Sequence, residues 1–427
     1  MERRLLASPA VRKPMSASKP GWRAAFTGVV AALAIAGTAP ASEPEAGAGA
    51  PRRGLWVLCE GSQRVLEHPD RIALLLADAE ALGVTDLFVQ VYRGGRAWYQ
   101  STSADAGPWQ ATRRPDGSDG LGQLIAAAHG RGLRVHAWVN VLSLAANREA
   151  PILVRLGRDA AIVDQKGRSV LDYPELEIPP PDRTWLRMGT PAVWLDPAVP
   201  GVAEELAATF AELVLGYPAL DGIHFDYVRY ADTLPFSPGT RFGVGLGFGF
   251  GEPVRARFQA ETGLVAPFGT SLANADRFDD WRREKLTELV ARLAATARAA
   301  RPGLRVSAAV IADRERAYRV DHQDWLGWLD AGHLDFAVPM LYTRDPVLLR
   351  YGVETYAGLA SQRELWVGLG SWLFAGSPER AIEQLRVASA EPNLSTALFS
   401  WDSIRESPDL LSALATDVAR GQADPTP

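Results

Sequence analysis

The segment Asp221-Gly222-Ile223-His224-Phe225-Asp226-Tyr227-Val228-Arg229-Tyr230 begins as a buried strand and ends in charge. Ile223 and Phe225 are apolar, whereas His224, Asp226 and Arg229 are not. A parallel strand covered on both faces reads as a nearly unbroken apolar run. A carboxylate at its C-terminal end is costly unless it is paired, hydrogen-bonded or used. In a barrel of alternating strands and helices, that end is where catalytic groups gather. Asp226 is therefore the leading candidate for chemistry. The competing reading is an ion pair with Arg229 or Arg93 that staples strands together.

Outward from this segment, short apolar runs alternate with helical patterns. Strands are expected at 54–59, 86–92, 133–139, 222–226, 305–311, 334–341, 365–369 and 396–401. Helical periodicity follows each, over 70–82, 120–130, 200–215, 276–300, 323–329, 345–360, 377–388 and 404–413. In the first helix Ile72, Leu75, Leu76, Ala79 and Leu82 share a face. This alternation implies βαβ units and a parallel sheet. Eight units suit an α/β fold of the closed (β/α)8 TIM-barrel type, with a doubly wound open sheet as the alternative. No Gly-x-Gly-x-x-Gly follows the first strand, and the glycine-rich run 243–251 reads as a loop beside the cleft rather than a phosphate cradle.

Two connections are long, 140–200 after the third strand and 230–276 after the fourth. Both fall on the C-terminal face, and loops of this length are usually functional. They carry Tyr173, Trp185, Trp194, Phe236, Phe248 and Phe250 as candidate walls of a groove.

The 427 residues carry a formal net charge of -5 and are 47% hydrophobic, which is ordinary for a globular protein with a sizeable core. No basic patch suited to nucleic acid stands out. The single cysteine, Cys59, excludes an internal disulfide and lies in an apolar run. The six histidines show no metal-binding spacing, so neither a metal nor another cofactor is expected. Arg3, Arg4, Arg12, Lys13, Lys19 and Arg23 precede an apolar stretch at 24–37, and Ala39-Pro40-Ala41 follows it. This pattern is that of an export signal over 1–41. The stretch is short for a bilayer span, and an uncleaved anchor is the alternative. Residues 42–52 then read as a linker, 53–416 as the barrel and 417–427 as a flexible tail. The expected destination is the periplasm or the extracellular space, with no stable membrane span after signal cleavage.

Polar groups collect where the strands end. Glu60 follows the first; Gln90 and Arg93 end the second; His136, Trp138 and Asn140 alternate along the third. His224, Asp226 and Arg229 end the fourth, Asp313 and Glu315 follow the fifth, and Tyr342 follows the sixth. Trp372 follows the seventh and Trp401 closes the eighth. Carboxylates, amides and aromatic rings converging on one cup suit a carbohydrate. Glycoside cleavage mostly needs two acids. Asp226 is one, and Glu60, then Asp313, and also Glu315 are candidates for the other, with Glu252 a further possibility. Gln90, Arg93, His136, Trp138, Asn140, His224, Arg229, Tyr342, Trp372 and Trp401 are candidate substrate contacts. His136 and His224 also read as satisfied core histidines.

The order of these motifs resembles glycosyl-hydrolase-like family 10. The resemblance runs from Arg53 to Asp402 through Arg53-Gly54-Leu55-Trp56, Phe88-Val89-Gln90-Val91, Val135-His136-Ala137-Trp138-Val139-Asn140, Trp194-Leu195-Asp196-Pro197, Asp221 to Tyr230, Gln323-Asp324-Trp325, Asp335 to Tyr342 and Val367-Gly368-Leu369-Gly370. It implies a TIM barrel that hydrolyses amino-sugar polymers, including bacterial glycan strands stripped of their peptide stems. It also assigns family positions to Asp226, His136, Asn140 and Gln90. Many relatives place two adjacent aspartates at the fourth strand, where this chain has Phe225 before Asp226, and proline where this chain has Ala231. Two other classes stay open: a barrel that binds glycan without cleaving it, and a metal-dependent deacetylase or amidase.

Overall fold

The computed structural model describes residues 51–235, 246–265 and 272–423. The expected export segment, most of the linker, Phe236, the start of the glycine-rich run and residues 424–427 lie outside the described residues. Eight parallel strands make the barrel: β1 (Arg53–Val57), β2 (Asp86–Arg93), β3 (Arg134–Asn140), β4 (Gly222–Asp226), β5 (Arg305–Ile311), β6 (Phe336–Met340), β7 (Glu364–Gly370) and β8 (Leu394–Phe399). Each pairs with its sequence neighbours, and β1 pairs with both β2 and β8, which closes the ring. The expected bounds of β4 and β5 coincide with the observed ones. The eighth strand ends earlier than expected because Ser400 caps a short helix, Trp401–Arg405, through a capping box with Ser403.

The outer layer comprises α1 (Pro69–Ala81), α2 (Gly120–His129), α3 (Val202–Gly216), α4 (Leu272–Ala300), α5 (Trp325–Asp330), α6 (Pro346–Leu359), α7 (Pro378–Ser389) and α8 (Pro408–Ala423). Proline opens α1, α6 and α7, where its missing N–H has no helical partner to lose. Ile72, Leu75, Leu76 and Ala79 of α1 are buried, as one apolar face requires. The expected helix at 404–413 is in fact the Trp401–Arg405 turn followed by α8. Helix α8 continues through Ala423, and its Asp417 pairs with Arg386, so 417–423 is helix rather than a flexible tail. Arg52, expected in the linker, already belongs to the barrel. Its amide donates to Ser395 Oγ at 3.0 Å and its Nε donates to Asp86 at 2.9 Å.

Register decides depth in the barrel. His136, Trp138 and Asn140 of β3 stand opposite Gly222, His224 and Asp226 of β4. Each pair lies one step nearer the C-terminal mouth, because inward side chains recur every second residue. His136 is therefore deepest. Gly222 is required opposite it, since a Cβ at 222 would overlap the His136 ring and crowd the Arg305 carbonyl. Trp56, Phe88, Phe336, Val338 and Trp366 fill the barrel interior around this column.

The long connections are built structures. Residues 140–200 contain a helix, Pro151–Leu156, several single turns and a two-residue strand, Arg187–Met188. That strand pairs antiparallel with Thr233–Leu234 from the connection after β4, so the two insertions are stitched together. A further helix, Glu252–Thr262, precedes α4.

Candidate active site

A cavity of about 620 Å³ opens at the C-terminal mouth of the barrel. This is within the range of roughly 300–1,000 Å³ common for small-molecule sites. Among its lining are Asp226, Glu60, Gln90, Arg93, Trp138, Asn140, Arg229, Tyr342 and Trp372. Strand geometry thus brings together, from six strand ends, residues dispersed over the sequence.

Asp226 is the last residue of β4 and is only 9% exposed. Trp138 Nε1 donates to its Oδ2 at 3.1 Å, and the Tyr227 amide donates to its Oδ1 at 2.7 Å. Tyr227 itself holds a left-handed backbone, φ 51°. A non-glycine residue in that region carries strain, a common feature of functional sites. Burial is the dominant influence on Asp226 and pushes its carboxyl up to about 6. The Tyr227 amide, the Arg229 charge and the Trp138 indole pull the other way but do not offset it.

Glu60 stands at the rim with both oxygens gripped, one by Arg93 and the other by Arg96. Two guanidiniums on one carboxylate form a charge-assisted clamp that fixes Arg93 at the mouth. Beneath it, Gln90 Nε2 donates to Asn140 Oδ1 at 3.2 Å, which leaves the Asn140 amide N–H groups for other acceptors. On the opposite wall, Tyr342 and Trp372 pack edge to face at 4.8 Å, and Phe399 lies 5.6 Å from Trp372. Burial and the neighbouring Asp226 push the Tyr342 phenol far up, so it remains a hydrogen-bond donor at neutral pH.

Arg229 closes the third wall. It lies over the rings of Trp194 at 5.0 Å and Tyr227 at 5.7 Å, and it pairs with Asp232 at 2.9 Å and Asp321 at 3.3 Å. Arg316 joins the same two carboxylates, at 2.9 and 3.5 Å. The result is a buried four-membered ion cluster that anchors the cavity wall. Burial and the adjacent Asp232 push the Asp321 carboxyl up to about 7 despite Arg229.

Other expected site residues lie outside this lining. His136 is fully buried below the cavity, with Nε2 2.9 Å from Asp86 Oδ1. Burial lowers the His136 pKa. Burial also favours protonated Asp86, but the His136 hydrogen bond and the Arg52 charge outweigh it and hold Asp86 ionised. His224 is also fully buried. Its Nε2 accepts from Trp56 Nε1 at 3.1 Å, and its Nδ1 lies 2.9 Å from Ser307 Oγ. The indole only donates, so the His224 proton is on Nδ1 and burial keeps the ring neutral. Both histidines are core residues because they sit one or two register steps too deep. Trp401 is buried, its Nε1 donating to Asp78 at 2.9 Å. β8 ends before Trp401, and Phe399 reaches the cavity instead. Asp313 caps the helix Arg314–Arg319 through the Arg316 amide at 2.9 Å and borders an adjacent cavity. Glu252 opens the helix before α4 and does not line the cup.

The expected groove-wall aromatics are corrected as well. Tyr173, Trp194, Phe248 and Phe250 are buried in the insertions, and Trp185 is 80% exposed away from the cup. Sequence reasoning missed Tyr227, Phe399, Trp56, Met340 and Thr190, all of which line the cavity. Tyr227 and Phe399 had a signal in their places at strand ends, whereas Thr190 had none, being delivered by the insertion after β3. Among the described residues, no group of three or more His, Cys, Asp or Glu is placed to hold a metal ion, and no helix is long and apolar enough to cross a membrane.

The geometry defines a TIM barrel with a buried acid at the floor of an aromatic-walled cup. The chain belongs to the family described as Glycosyl hydrolase-like 10, whose profile matches residues 51–357. It is 24% identical over 366 residues to Glycosyl hydrolase DigH of Escherichia coli, covering 77% of this chain and 74% of that protein. It is 22% identical over 298 residues to Glycosyl hydrolase YngK of Bacillus subtilis, covering 65% of this chain and 50% of that protein. The same fold occurs in alpha-L-fucosidase isoenzyme 2 from Paenibacillus thiaminolyticus, with a TM-score of 0.53, 14% identity and coverage of 87% of this chain and 50% of that one. It occurs too in the beta-galactosidase of the psychrophilic Marinomonas ef1, with a TM-score of 0.54, 14% identity and coverage of 87% and 59%. The chain thus spans between half and three-fifths of the length of these two solved glycosidases.

Proposed function

We propose that this chain is a glycoside hydrolase that cleaves an amino-sugar glycan, most fittingly a cell-wall strand, with Asp226 as the general acid. The observation that carries the reading is the Asp226 carboxyl, pushed up to about 6 by burial beneath a sugar-sized aromatic cup. An acid that is to donate a proton near neutrality needs such a shift. In this reading the Tyr342 and Trp372 rings face the apolar side of a sugar, Gln90 and Asn140 hydrogen-bond its polar groups, and Asp226 protonates the leaving glycosidic oxygen.

The carboxylates support this substrate class. Glu60 and Asp226 are the acids among the described lining residues, and Glu60 is occupied by two guanidiniums. An amino sugar supplies its own nucleophile, since the 2-acetamido oxygen attacks C1 as the C1–O bond breaks and needs only one protein acid. Water then adds to C1, the acetamido oxygen leaves, and the water proton returns to Asp226. The N-terminal pattern of basic region, apolar stretch and small residues supports export to the compartment where such strands occur.

The test is release of reducing ends from peptide-free amino-sugar strands, with cello-oligosaccharides, which carry a 2-hydroxyl instead, as control. The reading predicts cleavage of the first and none of the second. Strands bound but not cut would mark a non-catalytic barrel.

Two further results are expected. The acid acts protonated, so kcat/KM should fall about tenfold per pH unit above about 6, as a pH series on the wild type would show. Replacing Trp138 with Phe removes a donor that favours ionised Asp226. The alkaline limb of that profile should then move up by roughly one unit. A limb unmoved by Trp138→Phe would mean that another group titrates.

A further inference from the structure

We propose that a second cavity, of about 460 Å³, binds further sugar units of the same strand, so that the chain grips an extended glycan rather than a single terminal residue. The inference rests on the glycosidase reading of the first cavity and extends it to a second binding site. Met340 and Tyr342 line both cavities, which are therefore neighbours across the end of β6. Strand β5 points the same way. Ala309 faces the first cavity, and Ile311, one inward step nearer the mouth, faces the second.

The chemistry of the second cavity fits a saccharide. Tyr351 is 68% exposed and Leu348 50% exposed, both on α6 at its edge. An exposed aromatic beside a cavity offers a flat apolar face, the surface on which a sugar ring stacks. Asp313 and Thr343 border the same space and supply oxygens for hydroxyl groups. Asp313 Oδ1 is engaged by the Arg316 amide at 2.9 Å and Thr343 Oγ1 by the Asp345 amide at 3.0 Å, so both side chains are held in place. The floor is fixed by Tyr356, whose hydroxyl donates to the Ala312 carbonyl at 2.8 Å. A strand with its scissile bond over Asp226 passes Tyr342 and enters this space. The shared wall, not an isolated apolar face, identifies the occupant.

The experiment uses the full chain carrying Asp226→Asn, which removes turnover, and peptide-free strands of alternating N-acetylglucosamine and N-acetylmuramic acid fractionated by length. Calorimetric Kd values should fall with each added unit until the strand fills both cavities, and then level off. Adding Tyr351→Ala, an exposed position whose loss leaves the core intact, should weaken the longer strands by roughly three- to tenfold while leaving the disaccharide Kd as it was. If the gain with length survives Tyr351→Ala, or if Kd does not improve beyond the disaccharide, the second site is wrong and the catalytic reading stands. If no strand of any length binds, both fall.

Discussion

The Asp226→Asn variant is expected to fold, to bind glycan, and to lose turnover by roughly 10²–10⁴-fold, the contribution of a well-placed proton donor. The amide keeps the shape of the carboxyl and an oxygen for the Tyr227 amide, but it has no proton to give at the required acidity. The same variant should be more stable than the wild type at neutral pH. The folded Asp226 carboxyl titrates at about 6, against about 3.9 in an unfolded chain. Between those values the folded chain retains a proton that the unfolded chain has released. Wild-type stability therefore falls as pH rises from about 4 to about 6, and the whole cost is present above that. Asparagine does not ionise, though its single oxygen cannot serve both Tyr227 and Trp138. The net gain should be roughly 1–2 kcal/mol at pH 7.5, vanishing near pH 4, as urea unfolding at the two pH values would reveal. Lost activity with gained stability is the mark of a site held ready for chemistry at the expense of the fold. Wild-type turnover by the variant would remove Asp226 from the mechanism.

Breaking the buried ion cluster should give the largest loss of stability. In Arg229→Met, Asp232 and Asp321 are left facing Arg316 alone, inside the wall of the cup. Removing one partner of a buried ion pair costs roughly 3–5 kcal/mol, because the stranded charge has no water to replace the partner. Asp321 gives this prediction a pH signature. Its carboxyl is already pushed up to about 7 in the intact cluster, and loss of Arg229 pushes it further. Its protonation relieves the stranded charge, so the defect of Arg229→Met should be smaller at pH 5 than at pH 8. Adding Asp321→Asn should recover part of the loss at pH 8 and little at pH 5. A defect equal at both pH values, with no rescue, would show that lost packing over Trp194 and Tyr227, not charge, causes it.

The barrel was legible because its strands are buried on both faces, and runs such as 222–226 and 305–311 end abruptly in polar residues. Asp226 was legible for the same reason: a carboxylate closing an apolar run has few inexpensive explanations. What the sequence does not encode locally is depth. His136 and His224 share the inward face with Asn140 and Asp226, and only the register between β3 and β4 shows that they lie beneath the cup. Trp401 was misplaced by a strand that ended early, and Asp313 by a chain that turns into a helix after β5. The insertion aromatics were misread because a long loop can build its own core, as Tyr173, Trp194, Phe248 and Phe250 do. Thr190 entered the site through pairing between two distant insertions, an arrangement no local pattern announces.

The central claim is that Asp226 meets a glycosidic oxygen at the floor of this cup. It is tested most directly by a crystal structure of the Asp226→Asn protein with a peptide-free amino-sugar tetrasaccharide. The expected result places a glycosidic oxygen within hydrogen-bonding distance of the residue 226 amide, with a sugar ring against Trp372 and Tyr342. A tetrasaccharide bound elsewhere, with this cup holding only solvent, would contradict it.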